Sequence, residues 1–117
     1  MSVRHIYHLC RSEDWQAGAA QGRYGGGATD QGDGFIHFST ASQIADSAAR
    51  HRPGERGLLL LTVRIERLPA DLLRWEIAGD GGLYPHLYGP LPIESVVEVT
   101  ALALGEDGLH EFPPIED

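Results

Sequence analysis

Hydrophobic and polar positions fall into short blocks along the chain, some with the two-residue period of a strand and some with the period of a helix. Residues 3–9 (VRHIYHL) read as a strand, with Val3, His5 and Tyr7 on one face and Arg4, Ile6 and His8 on the other. Ser12 has the chemistry of an N-cap, Glu13 and Asp14 occupy a first turn that favours acids, Trp15 and Ala19 form an i, i+4 stripe, and Gly22 suits a helix stop. Residues 23–34 (RYGGGATDQGDG) lack either period and read as a loop whose five glycines would let backbone approach a ligand closely. Residues 35–38 form a second strand, and the chain turns into a helix at Thr40, where Thr-Ala-Ser-Gln matches a capping box with Gln43. That helix turns Ala41, Ile44, Ala45, Ala48 and Ala49 inward and ends in Arg50, His51 and Arg52 before Pro53 and Gly54.

Residues 58–65 (LLLLTVRI) begin apolar on both faces, the mark of a central strand. A Leu-Pro-Ala-Asp turn, an alternating strand at 73–77 (LRWEI) and a tight GDGG connection follow. Residues 84–90 read as a stiff irregular segment, because Pro85 and Pro90 argue against a regular helix or a central strand. A last strand is predicted over 96–104, and the chain ends in an acidic tail from about residue 105. With no repeat, linker or heptad, the order predicts one α+β domain over residues 1–117.

Composition narrows the function classes. The lone Cys10 excludes an internal disulfide, no stretch reaches the roughly 18 apolar residues of a membrane span, and Met1 does not open a signal peptide, so a soluble cytoplasmic protein is expected. A net charge of −8 supplies no broad positive footprint, which makes long nucleic acids poor partners and leaves a small molecule or a protein. All nine bases are arginine, a feature that could serve phosphate forks but, beside so much Ala and Gly, is better explained by a GC-rich coding bias.

The chemistry concentrates in two stretches. In DGFIHFSTASQ a histidine interrupts an apolar strand, and an imidazole there needs a partner, since an unsatisfied buried polar group costs about 1–3 kcal/mol. Phe35, His37 and Ser39 share one face, and Ser39 and Thr40 stand where strand becomes helix, a place suited to an anion or a ribose hydroxyl. Either His37 bonds a neighbouring carbonyl while Ser39 or Thr40 caps, or the strand end floors a ligand cleft. In LYPHLYGPL, Tyr84, His86 and Tyr88 would share one side if extended, as a stacking surface or as a plug over one end of the sheet. His8 could aim into the same cleft or be structural, Glu76 could act as an acid or pair with an arginine, and Tyr24 could stack on a heterocycle or pin the loop. His8, His37 and His86 are also three conceivable zinc ligands, but no HxH, HxxxH or CxxC spacing supports a metal site. Nor is there a P-loop, a GxGxxG unit or a GxSxG elbow.

IYHL at 6–9, Trp15, GFIHFST with Gln43, WE at 75–76 and YPHLYGPL together resemble the bacterial domain-of-unknown-function family 952, over about residues 5–104. That family is grouped by fold with the ADP-ribosyltransferases, whose split sheets clasp an extended NAD without a Rossmann motif. The resemblance implies an ADP-ribosyltransferase-like split β-sheet with two short helices, NAD as cofactor, and ADP-ribosyl transfer or cleavage of the NAD glycosidic bond. It maps His8 onto a ribose-binding position and His37, with Ser39 and Thr40, onto the nicotinamide end. The third position is either Glu76, stabilising an oxocarbenium-like transition state, or the loop bearing His86 and Tyr88, and this departure leaves transfer activity open. The catalytic set is therefore His8, His37 and Glu76, and the cofactor-binding set Tyr24, Ser39, Thr40, His86 and Tyr88. A noncatalytic module with the same cleft is the alternative.

Overall fold

The block that is apolar on both faces organises the fold, because such a strand needs cover on both sides. In the computed structural model, which describes residues 3–117, the chain runs β1 (His5–Arg11), α1 (Ser12–Gln21), β2 (Arg23–Tyr24), α2 (Ala28–Asp33), β3 (Ile36–His37), α3 (Ile44–His51), β4 (Leu58–Arg64), β5 (Leu73–Ile77), β6 (Leu83–Leu87), β7 (Leu91–Pro92) and β8 (Val96–Ala101). Met1, and the expectation about a signal peptide, lie outside those residues. Among the described residues no helix is long and apolar enough to cross a membrane.

Strand β4 is central in an antiparallel sheet of order β1-β4-β8. Leu61 and Val63 join Ile6, Cys10, Ile36, Phe38 and Leu87 in one core cluster, while Leu58 and Leu60 join Tyr7, Leu9, Ile44 and Ala48 in another. Each buried leucine contributes about 1.5–3 kcal/mol, so the two clusters clamp β4 from both faces. A second antiparallel sheet has the order β3-β6-β5, and β2 and β7 form a short ribbon.

Register in the second sheet decides where the chemistry goes. Ile36 stands opposite Leu87 and Leu87 opposite Leu73, whereas His37 stands opposite His86 and His86 opposite Arg74. Side chains alternate, so Ile36, Leu87 and Leu73 face the core, and His37, Tyr84, His86, Arg74 and Glu76 share the other face. Among the described residues the two large sheets meet at a single bridge, where the Tyr7 N–H donates to the Ser39 carbonyl at 2.8 Å and the Ser39 N–H donates to the Tyr7 carbonyl at 2.9 Å.

The fold is thus mixed α+β, with several antiparallel sheets and few helices, and it corrects several local expectations. The glycine-rich stretch is not a bare loop: it contributes β2 and the short helix α2, because Asp30 reaches back from the third helical position to the Gly27 N–H at 2.7 Å. Residues 84–90 are not irregular throughout, since β6 is the middle strand of its sheet with Pro85 inside it. Pro85 is tolerated because its carbonyl accepts the Phe38 N–H at 3.0 Å on the side where β3 has already ended. Its missing N–H therefore faces the end of a ladder and leaves the pairing with Trp75 intact.

Helix α1 starts at Ser12 itself with no side-chain cap, and it buries Gly18 against Tyr24 while Ala19 stays exposed. Gln43 does reach back to the Thr40 N–H at 3.0 Å, but Thr40 Oγ1 bonds Ser42, so half of the capping box forms and α3 begins at Ile44. The last strand stops at Ala101. Residues beyond it are docked: Phe112 and Ile115 pack on the Tyr7 cluster, and the Tyr7 hydroxyl donates to the Glu116 carbonyl at 2.6 Å.

Candidate functional site

A cleft of about 490 Å³ opens where the two sheets part beside the bridge between Tyr7 and Ser39. Its lining includes His37, Ser39 and His86 from the second sheet and its margin, Ser47, Arg50, His51 and Arg52 from the C-terminal end of α3, and Asp80 from the hairpin after β5.

Asp30 anchors one wall. Buried in α2, it accepts the His37 ring N–H at 2.6 Å and the His37 backbone N–H at 3.0 Å on Oδ1, and the Gly27 N–H on Oδ2. Burial alone would raise its carboxyl, but the hydrogen bonds from the His37 ring and from the His37 and Gly27 backbone N–H groups outweigh it and hold Asp30 below the ordinary carboxylate range. Gly26 makes this packing possible: its φ is +91°, and a Cβ there would lie 2.6 Å from Asp30 Cβ. The glycines of this segment therefore serve an internal carboxylate at this position.

His37 presents both ring nitrogens to carboxylates, Nδ1 to Asp30 and Nε2 to Asp33 at 2.9 Å. The Asp30 hydrogen bond, opposed by partial burial and helped by the charges of both acids, raises its pKa and favours the imidazolium. The partner demanded by a histidine in an apolar strand is thus a pair of aspartates from the preceding helix. Asp30 and Asp33 had no place in the sequence reading; the signal for Asp33 is its i, i+4 spacing to His37, and for Asp30 an acid three residues after a glycine that opens a helix.

His8 is only 3% exposed and its ring is spent inside the protein. Nδ1 lies 2.6 Å from the His37 carbonyl, which can only accept, so Nδ1 carries the proton and Nε2 accepts the Tyr24 hydroxyl at 2.8 Å. Asp30 approaches His8 at 3.7 Å, yet desolvation prevails and lowers the His8 pKa, so this contact joins a carboxylate to a neutral ring. The expectation that His8 meets a ribose is corrected: the ring touches the cleft, but neither nitrogen is free. Tyr24 is likewise no stacking platform, since its ring is 2% exposed and packs edge-on against Trp15.

On the opposite side of the same sheet face, Glu76 Oε1 accepts His86 Nδ1–H at 2.8 Å and the Tyr88 hydroxyl at 2.6 Å. The Tyr88 and His86 donors hold the Glu76 carboxyl below its ordinary range. Phe35 stacks on His86 with ring centroids 4.1 Å apart and leans on Tyr88 at 5.2 Å, and Arg74 lies over the Tyr88 ring. Glu76 and Tyr88 are absent from the cleft lining, as is Thr40, while Ser39 and His86 belong to it. A glutamate expected to face a reacting sugar instead stands behind a histidine that faces the cleft.

Of the three imidazoles weighed as zinc ligands, His8 and His37 have both nitrogens engaged, and among the described residues no group of three or more His, Cys, Asp or Glu has a metal-holding arrangement. The other wall carries charge the sequence reading treated only as a helix end. Arg50 contacts Asp46 at 3.0 Å and Asp80 at 2.7 Å, and Tyr84 donates to Asp80 at 2.6 Å, so α3 is latched to the β5–β6 hairpin across the cleft.

Comparison with known proteins agrees with this architecture. Nothing among curated proteins matches the chain. The crystal structure of protein CC0527 from Caulobacter crescentus is similar at 39% identity with a TM-score of 0.86, covering 92% of this chain and 93% of that one. The solution structure of CC0527 gives 40% identity and a TM-score of 0.80, covering 90% of each chain. The family model described as protein of unknown function (DUF952) matches residues 9–99, and the chain belongs to that family.

Proposed function

We propose that the cleft between the sheets binds a nucleotide-like ligand of the NAD or ADP-ribose class. The observation that carries this reading is the composition of its two walls: Ser39, His37 and His86 on one side and Arg50, His51 and Arg52 on the other border one continuous space, with Arg50 paired to Asp46 and Asp80 and Arg52 to Glu55. Sugar hydroxyls suit the first wall and a diphosphate the second. The volume, about 490 Å³, falls within the range of roughly 300–1,000 Å³ typical of small-molecule sites. Two antiparallel sheets that part beside one bridge also support the resemblance to the split sheet of ADP-ribosyltransferases.

Transfer of ADP-ribose, or cleavage of the NAD glycosidic bond, is the catalytic form of this reading. The noncatalytic form, a module that holds the ligand without turning it over, is favoured by one observation: the carboxylate of Glu76 is engaged by His86 and Tyr88 and does not line the cleft.

A melting-temperature titration with NAD, ADP-ribose and nicotinamide tests the reading, because a ligand at 100 times its Kd stabilises the folded state by about 2.7 kcal/mol. The wild type is expected to shift with NAD and ADP-ribose, and Arg50→Gln to shift less. No shift with any of the three at millimolar concentration contradicts the proposal, and release of nicotinamide from bound NAD separates the catalytic form from the noncatalytic one.

A further inference from the structure

His86 differs from the other histidines of the site in having one nitrogen engaged and one free. Nδ1 is tied to Glu76, whereas Nε2 has no protein partner among the described residues and is not among the solvent-shielded atoms left without one. The ring is fixed by its stacked contact with Phe35 and lies 5.6 Å from the His37 ring, edge to face, at the cleft wall. A carboxylate on Nδ1 selects the tautomer that carries its proton there, which leaves Nε2 with a lone pair and no hydrogen. The Tyr88 hydroxyl donates to the same Glu76 oxygen, so that carboxylate cannot swing away without breaking two hydrogen bonds. In its neutral form the His86 ring therefore presents an acceptor at the wall, next to His37, whose N–H groups are already spent on Asp30 and Asp33.

We propose that His86 Nε2 reads a hydroxyl donor on the bound ligand, and that Glu76 is a positioning residue that fixes the His86 tautomer without touching the ligand. The inference rests on the reading of the cleft as a ligand site and adds a requirement to it: the ligand places a donor, of which a sugar hydroxyl is the one proposed, and not a carbonyl or an unprotonated ring nitrogen, against the second sheet.

Long-range proton–nitrogen NMR spectra of the imidazoles in the full chain, with and without ADP-ribose, test this directly. The free wild type is expected to show His86 as the Nδ1–H tautomer with an unprotonated Nε2, and saturating ADP-ribose moves the Nε2 resonance toward its protonated value. Glu76→Ala gives averaged tautomer signals, and Glu76→Gln restores part of the Nδ1–H signature. His86→Phe, which keeps an aromatic ring against Phe35, weakens ADP-ribose binding by about tenfold, as loss of one hydrogen bond requires. A His86 found as the Nε2–H tautomer overturns the proposal. So does an Nε2 resonance that stays still at ADP-ribose concentrations that raise the melting temperature, an outcome that leaves the cleft reading standing. Absence of any melting shift with NAD, ADP-ribose or nicotinamide overturns the cleft reading and this inference with it.

Discussion

Asp30 Oδ1 accepts both the ring N–H of His37, at 2.6 Å, and its backbone N–H, at 3.0 Å, so one buried carboxylate fixes the position and the charge of one histidine. The folded protein holds a proton on His37 that the unfolded chain, with an ordinary histidine pKa of about 6.5, gives up more readily. His37 therefore contributes stability that is full below about pH 6.5 and is lost as the pH rises through its raised folded value. Asp30 works in the other direction, its contribution present above about pH 3.9 and lost as the pH falls through its depressed folded value. His8, lowered by burial, favours the fold above about pH 6.5 and opposes it below. Comparison of wild type with His37→Asn cancels most of the His8 effect: the melting-temperature advantage of wild type should be greatest near about pH 5.5 and shrink toward about pH 9. An advantage that is flat with pH contradicts the His37–Asp30 account.

Removing the Asp30 charge has a larger effect than any exposed ion pair of the chain. Asp30→Asn turns an acceptor of several N–H groups into a mixed donor and acceptor, and breaking a buried pair of this kind costs about 3–5 kcal/mol. Arg64→Gln, which breaks an exposed contact to Glu66, costs at most about 1 kcal/mol. Chemical denaturation of the two variants checks the ranking, and equal losses would refute it.

Two glycines of the same segment separate backbone demand from mere composition. Gly26→Ala puts a Cβ into Asp30 at a φ of +91° and is expected to cost about 1–3 kcal/mol. Gly32, within α2 and with open space around it, should gain about 0.4–1 kcal/mol on replacement by Ala. Urea midpoints of the pair give the test, and a tolerated Gly26→Ala would mean that Asp30 does not need this close approach.

Tyr24→Phe removes the donor to His8 Nε2 and leaves that buried nitrogen unpaired, a loss of about 1–3 kcal/mol. Because the Tyr24 ring lies in the core, ligand affinity measured under conditions where the variant is folded should equal that of wild type. A selective loss of affinity would restore Tyr24 to the cleft.

These pairs also mark how far the sequence could be read. The doubly apolar run at 58–61 announced a central strand because burial on both faces leaves no other pattern, and the alternation placed Phe35 beside His37, whose ring it meets, on a face that the register extends to His86. Helix α2 was hidden because glycine weakens the local helix signal, while a tertiary contact between Asp30 and His37 supplies the missing stabilisation. Pro85 misled for a different reason: the rule against proline in a central strand assumes partners along both edges, and here β3 ends one residue short of needing its N–H. No local pattern could show that Arg50 meets Asp80 thirty residues later, or that Glu76 stands behind His86, since both depend on how the β5–β6 hairpin lies against α3 and β3.

The central claim is that the space where the sheets part is a site for a nucleotide-like ligand. An amide proton–nitrogen NMR titration of the full chain with ADP-ribose tests it most directly, since it reports where a ligand sits as well as whether it binds. The account predicts saturable shifts concentrated at Ser39, Ser47, Arg52, Gly79 and His86, around the cleft. Unchanged spectra up to millimolar ADP-ribose, or shifts confined to the amides around Trp75 and Ile77, whose side chains are exposed on the other face of the second sheet, would contradict it.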